Sequence, residues 1–161
     1  MLNNDLGLLM EPFRSKVVKF LEFINTPDFC NQLGVSRFVV TETKRDLVVQ
    51  LAYASRLMAR YASTEYRVMS LDFVRAAYRI AGLVPPVNDD ECLKPVTWTM
   101  KSKHLTGNAV DIWPSKDGED IWWAPFTWEG WKKLADIAVR LEIKPGYYYF
   151  KDAPHFEEID H

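Results

Sequence analysis

Histidine and cysteine are both scarce in this chain: 161 residues hold three histidines and two cysteines. His161 is the last residue, where chain ends fray. Chemistry that needs imidazole therefore has two internal places to sit, His104 and His155. Neither Cys30 nor Cys92 belongs to a CxxC or Cys/His cluster, which excludes a thiolate zinc site. Two isolated cysteines without an export signal read as reduced, buried small hydrophobes, with a disulfide left open. No apolar run approaches the roughly 18 residues that span a bilayer. Met1-Leu2-Asn3-Asn4-Asp5 carries no basic stretch, and no small-residue cleavage site follows Leu8-Leu9-Met10. The expectation is synthesis in the cytoplasm and no insertion into the membrane. A net charge of −2 lacks the basic field of a nucleic-acid binder. Internal repeats, Gly/Ser linkers and low-complexity stretches are missing too, so residues 1–161 read as one domain.

What is present is the composition of a folded protein. Apolar residues make up 48% and charged residues 26%, which excludes a disordered or fibrous chain. A chain of this length buries roughly 68–70% of its extended surface, enough for a proper core. Aromatic residues reach 14%, with six Trp.

Hydrophobic spacing places the elements. Phe13, Val17, Phe20, Leu21 and Ile24 recur at i, i+4, i+7, i+8, i+11, one face of a helix ending near Pro27. Phe38–Thr41 is β-branched and aromatic and reads as a strand. Leu47, Leu51, Ala54 and Met58 give a second helix stripe. Ser70 can cap a third helix carrying Val74, Ala77, Tyr78 and Ala81 and stopping at Gly82. Strands are expected at 95–99, 108–113, 147–150 and 154–157, and a turn at 116–120. Trp131, Leu134, Ala135, Ala138 and Leu141 mark the last long helix. Helices come first and strands are scattered later, which favours an α+β fold over a βαβ repeat.

The two internal histidines stand in acidic company. His104 lies in Ser102-Lys103-His104-Leu105-Thr106-Gly107-Asn108-Ala109-Val110-Asp111, and His155 in Asp152-Ala153-Pro154-His155-Phe156-Glu157. A catalytic zinc takes three His or carboxylate ligands and keeps a fourth position for water. His104, Asp111 and His155 can supply the three. A turn through Gly107 would bring Asp111 back beside His104, and His155 would close the site from a neighbouring strand. Asp152, three residues before His155, can serve as the base for water. Arg45, after the Phe38–Thr41 strand, is a candidate donor to an oxyanion. Spacing alone leaves structural roles for these histidines equally open.

The pattern Ser102-x-His104-x-x-Gly107-x-Ala109-x-Asp111 resembles the SxHxxGxAxD motif of the LAS metallopeptidases. That family includes D-alanyl-D-alanine carboxypeptidases and dipeptidases, and phage endolysins that are L-alanyl-D-glutamate endopeptidases. Asp152–Glu157 resembles its second motif, and Thr41–Arg45 with Gln50 resembles the upstream segment that supplies a substrate-binding Arg. The resemblance implies a small antiparallel sheet flanked by helices, with one zinc on His104, Asp111 and His155. It further implies Asp152 as general base and Arg45 polarising the scissile carbonyl. Ser102 would touch substrate or support a ligand, and Gln50 would help to order Arg45. Gly107 would permit the turn, and Ala109 would keep the strand's inner face small. Where family endolysins often carry Gly-Gly-x-Trp, this chain has Lys144-Pro145-Gly146-Tyr147, which changes the pocket wall.

The expected activity is hydrolysis of a peptidoglycan stem peptide, with the L-alanyl-D-glutamate bond preferred. A D-alanyl-D-alanine carboxypeptidase or dipeptidase is the alternative within the family. A zinc-stabilised wall-binding module without turnover is the alternative outside it. A monomer is expected, with no separate wall-binding domain and no nucleic-acid partner. It would act on the cell wall in the periplasm after a holin-type partner opens the membrane. Other residues have plainer readings: Glu157 and Glu158 as a strand-end charge pair, Lys101 and Lys103 as solvated cations. Trp98, Trp113 and Tyr147 read as core packing or as cleft lining.

Overall fold

The computed structural model describes residues 3–97 and 101–160. The chain forms two compact units: one is Arg45–Leu105, and the other combines the segments before and after it.

The second unit carries the sheet. Helix α1 (Phe13–Ile24) and the short α2 (Pro27–Leu33) precede strand β1 (Arg37–Glu42). Strand β2 (Ala109–Ser115), helix α6 (Gly130–Arg140), strand β3 (Ile143–Pro145), the single turn α7 (Gly146–Tyr149) and strand β4 (His155–Glu158) follow Leu105. The other unit supplies α3 (Leu47–Tyr61), α4 (Arg67–Ile80) and the short α5 (Asp89–Cys92). Among the described residues the sheet has four antiparallel strands in the order β1-β2-β4-β3. The α+β reading therefore holds.

The core of this unit follows the periodicity of its sequence. Phe13, Val17, Phe20 and Ile24 of α1 are fully buried, against Val110 and Ile112 of β2 and Phe156 of β4. Each such side chain contributes roughly 1.5–3 kcal/mol over leaving it in water. Trp131, Leu134 and Ala138 bring α6 into the same cluster. The aromatic excess is mostly spent here. Trp113 meets Trp123 and Trp131, Trp128 meets Trp122 and Trp131, and ring centroids lie 4.8–5.5 Å apart. Trp123 is mostly exposed, while Trp122 is partly buried against the core. Trp98 lies outside the described residues.

Several expectations are corrected. Of the expected α3 stripe only Ala54 is buried; Leu47, Leu51 and Met58 do not face a core and are 65%, 38% and 56% exposed. Helix α3 instead buries Val49, Ala52 and Ala59, and these pack with Leu71, Val74, Ala77 and Tyr78 of α4. Small side chains let two helices approach closely, and that gain outweighs the larger residues on the other face. Helix α4 begins before Ser70, whose hydroxyl donates to the Tyr66 carbonyl from inside the helix at 2.9 Å. Pro27 does not only end α1; it opens α2 at a position where its missing N–H costs nothing. Residues 95–97 form no strand, and the rest of that expected element is outside the described residues. The aromatic run 147–150 is a helical turn, because the chain must reverse between β3 and β4. Cys30 and Cys92 are free and buried, with both thiols pushed up by burial.

Gly107 sits in the turn that leads into β2, with φ +73°. A Cβ there would lie 2.6 Å from the Leu8 carbonyl oxygen, while the Gly107 carbonyl accepts from Met10 N–H at 2.9 Å. Left-handed strain and the collision add, so Gly107→Ala is expected to cost about 2–4 kcal/mol. Urea unfolding would read this as a lower midpoint with an unchanged slope. An unchanged midpoint would show that the N-terminal segment yields freely.

Candidate metal centre

Strand pairing builds the centre. Asp111 of β2 stands opposite His155 of β4, and two pairs further on Ala109 stands opposite Glu157. Residues directly paired across an antiparallel ladder share a face, and alternation puts all four on the same one. Beside Asp111 the β1 ladder slips: Val40 pairs with Ile112 but Glu42 pairs with Asp111, leaving Thr41 as the extra residue. Such a bulge re-aims neighbouring side chains. The Thr41 hydroxyl lies 3.4 Å from the Asp111 carbonyl oxygen.

His155 is held from both sides. Its Nδ1 is 3.2 Å from Asp111 Oδ1, and its Nε2 is 3.1 Å from Glu157 Oε2. Burial alone would lower its pKa, but the hydrogen bonds to Asp111 and Glu157 and the charges of Asp111 and Asp152 outweigh it, pushing it up to about 9. An incoming cation must displace that proton. The ring of Phe150 packs edge-on against the imidazole at 5.9 Å.

His104 occupies a 3-10 turn, Lys103–Thr106, and is buried. Its N–H reaches the Ser102 hydroxyl at 3.3 Å, so Ser102 caps the turn that carries it. Its carbonyl accepts from Arg45 N–H at 2.9 Å. One ligand atom each from His104, Asp111 and His155 lie within 4.8 Å of one another, the one such group among the described residues.

Two imidazoles and a carboxylate are a donor set suited to a divalent transition metal, zinc included. Two ligands about 2.0–2.1 Å from a tetrahedral zinc are themselves roughly 3.3 Å apart. The 3.2 Å between Asp111 and His155 fits that edge.

Asp152 and Arg45 have defined surroundings of their own. Asp152 is exposed, in the turn before β4: its N–H donates to the Gly146 carbonyl at 3.2 Å, and its carbonyl accepts from His155 N–H at 3.3 Å. Arg45 Nη1 donates to Gln50 Oε1 at 2.6 Å, and its guanidinium lies 4.8 Å from the Tyr53 ring centroid. Gln50 is fully buried, and its Nε2 is 3.3 Å from Thr97 Oγ1. The expected contact between Gln50 and Arg45 is therefore present.

Two residues carry more than their sequence reading. Glu157 belongs to a strand end but touches His155, and its other oxygen is 3.4 Å from Lys144 Nζ. Period-two spacing from His155 was the signal available for it. Gly146 of the Lys144–Tyr147 segment presses on the centre: a Cβ there would lie 2.3 Å from Asp152 O and 2.9 Å from His155 Cβ. Gly146→Ala is expected to push the Asp152–His155 turn away and lower metal affinity and any hydrolysis at least about a hundredfold. Metal titration with circular dichroism checks this; wild-type affinity in a folded variant would refute it. Tyr147 stacks on Phe126 at 4.9 Å and is packed against the core, and Trp113 lies in the tryptophan cluster.

The fold and donor set together define an α+β protein with a candidate mononuclear metal centre on an antiparallel sheet. No family model matches the chain, and no curated protein does. Among solved structures, the L-Ala D-Glu endopeptidase ChiX of Serratia marcescens is similar, with a TM-score of 0.51. The match covers 96% of this chain and 83% of that one, at 18% identity. At that identity the likeness is one of fold. No helix among the described residues is long and apolar enough to cross a membrane.

Proposed function

We propose that this protein is a zinc-dependent peptidase of bacterial peptidoglycan that cleaves the stem peptide at the L-alanyl-D-glutamate bond. The observation that carries this reading is the His104, Asp111 and His155 group, its ligand atoms within 4.8 Å. The fold likeness to an L-Ala D-Glu endopeptidase and the SxHxxGxAxD pattern support it.

His104, Asp111 and His155 would hold the metal. Zinc bound there would supply Lewis acidity, making a water more acidic and polarising the peptide carbonyl. Asp152 takes the proton from the attacking water and later gives it to the leaving amine as the C–N bond breaks. Arg45, held by Gln50, donates to the oxyanion of the tetrahedral intermediate. Ser102 keeps the His104 turn in shape. The protein would act on the wall, reaching it through a membrane lesion made by a holin-type partner.

Mass spectrometry of digested peptidoglycan tests the reading. New N-terminal D-glutamyl ends are expected. Loss of a single terminal alanine would move the assignment to a D-alanyl-D-alanine carboxypeptidase. Zinc binding without any cleavage would leave a wall-binding module.

A further inference from the structure

The geometry points to Glu157 as the positioning carboxylate of the metal centre: it holds Nε2–H of His155 and so reserves Nδ1 for the metal beside Asp111. This rests on the metal-centre reading above.

An imidazole that ligates a metal through one nitrogen carries its proton on the other. The two nitrogens of His155 face different carboxylates. Nδ1 faces Asp111, which belongs to the metal-ligating group; Nε2 faces Glu157, which does not. The two spacings, 3.2 and 3.1 Å, are alike, so the sides differ only in their partners: Asp111 is in the group that could hold a metal, and Glu157 is not. A carboxylate oxygen only accepts, so the contact with Glu157 suits a protonated Nε2.

The strand register makes Glu157 available for this role. It sits two residues after His155, hence on the same face of β4. Its partner on β2 is Ala109, whose side chain is only a methyl group. Its partner on β3 is Lys144. The Glu157 side chain is only 10% exposed. A carboxylate so buried needs its charge answered. Its oxygens divide the work: Oε2 toward the imidazole, Oε1 toward Lys144 Nζ at 3.4 Å. Lys144 is steadied in turn by the Phe150 ring, 4.7 Å from its ammonium. That same ring packs on His155. Lys144, Glu157 and Phe150 thus fix both the rotation of the imidazole and the nitrogen that keeps its proton. Outer carboxylates of this kind typically carry 10–100-fold of metal affinity.

The test is zinc competition titration of the whole chain, joined to nitrogen NMR of 15N-histidine-labelled zinc-loaded protein. Glu157→Ala is expected to raise the zinc dissociation constant about 10–100-fold. Glu157→Gln keeps an acceptor oxygen and should lose less than tenfold, and Lys144→Met should fall between wild type and Glu157→Ala. In the wild-type spectrum, His155 should show a metal-bound Nδ1 and a protonated Nε2. Wild-type affinity in folded Glu157→Ala would overturn the positioning role and leave the metal centre standing. An Nε2-bound metal would do the same. Failure of the wild-type protein to take up zinc in a His104-dependent way would remove the metal reading and this role together. If Glu157→Ala does not fold, the near-isosteric Glu157→Gln and the wild-type tautomer decide.

Discussion

Asp152→Ala is expected to abolish peptidoglycan cleavage while leaving zinc bound. The loss should be on the order of 10²–10⁴-fold, the range a positioned general base contributes. The Asp152 side chain is exposed. The backbone bonds of its turn, to Gly146 and from His155, are kept by alanine. Asp152 is not one of the three residues of the group that could hold a metal. Muropeptide release and zinc content, measured on the same preparation, give the result. Cleavage that survives in a zinc-replete variant would remove Asp152 from the mechanism. Loss of zinc along with cleavage would make it a support of the centre instead.

Zinc is expected to raise thermal stability, and His104→Ala to remove that gain. A ligand that binds only the folded state at a thousandfold above its Kd adds about 4 kcal/mol. For a chain of this size each kcal/mol moves Tm by roughly 2–4 °C. The shift on adding zinc to chelator-treated protein should therefore be on the order of 10 °C. The centre joins residues far apart in sequence, and an unfolded chain holds no such site. His104→Ala takes away a buried ligand, so a residual shift should be small. Identical melting curves with zinc and with chelator would count against a metal centre. So would a full shift in His104→Ala.

Much of this protein was legible in its residues. The α1 stripe of Phe13, Val17, Phe20 and Ile24 is buried where its period puts it. The stripe of Trp131, Leu134 and Ala138 behaves in the same way. The residues that could hold a metal were legible for a different reason. Two internal histidines leave few combinations, and the resemblance of Ser102–Asp111 to the SxHxxGxAxD motif singled out His104 and Asp111. Helix α3 shows where such reading fails. Its spacing marks an apolar stripe of Leu47, Leu51, Ala54 and Met58, yet of these only Ala54 is buried, and the helix packs through Val49, Ala52 and Ala59. Periodicity finds a face but does not say which face another helix will cover. Strand propensity failed at Tyr147–Tyr149 because a reversal between paired strands overrides the preference of three aromatic side chains.

By itself the sequence determined the α+β class and the apolar stripes of α1 and α6, which follow from short-range spacing, and it offered His104, Asp111 and His155 as residues able to hold a metal, through their chemistry and a motif resemblance. Only the tertiary structure decided what surrounds them. It paired β2 with β4, so that Asp111 meets His155 across the ladder. It set Gly146 against Asp152 and His155. It also turned Glu157, an ordinary strand-end acid in the sequence, onto the far nitrogen of His155. The meeting of Asp111 and His155 depends on register between strands distant in sequence, and register is a property of the folded sheet.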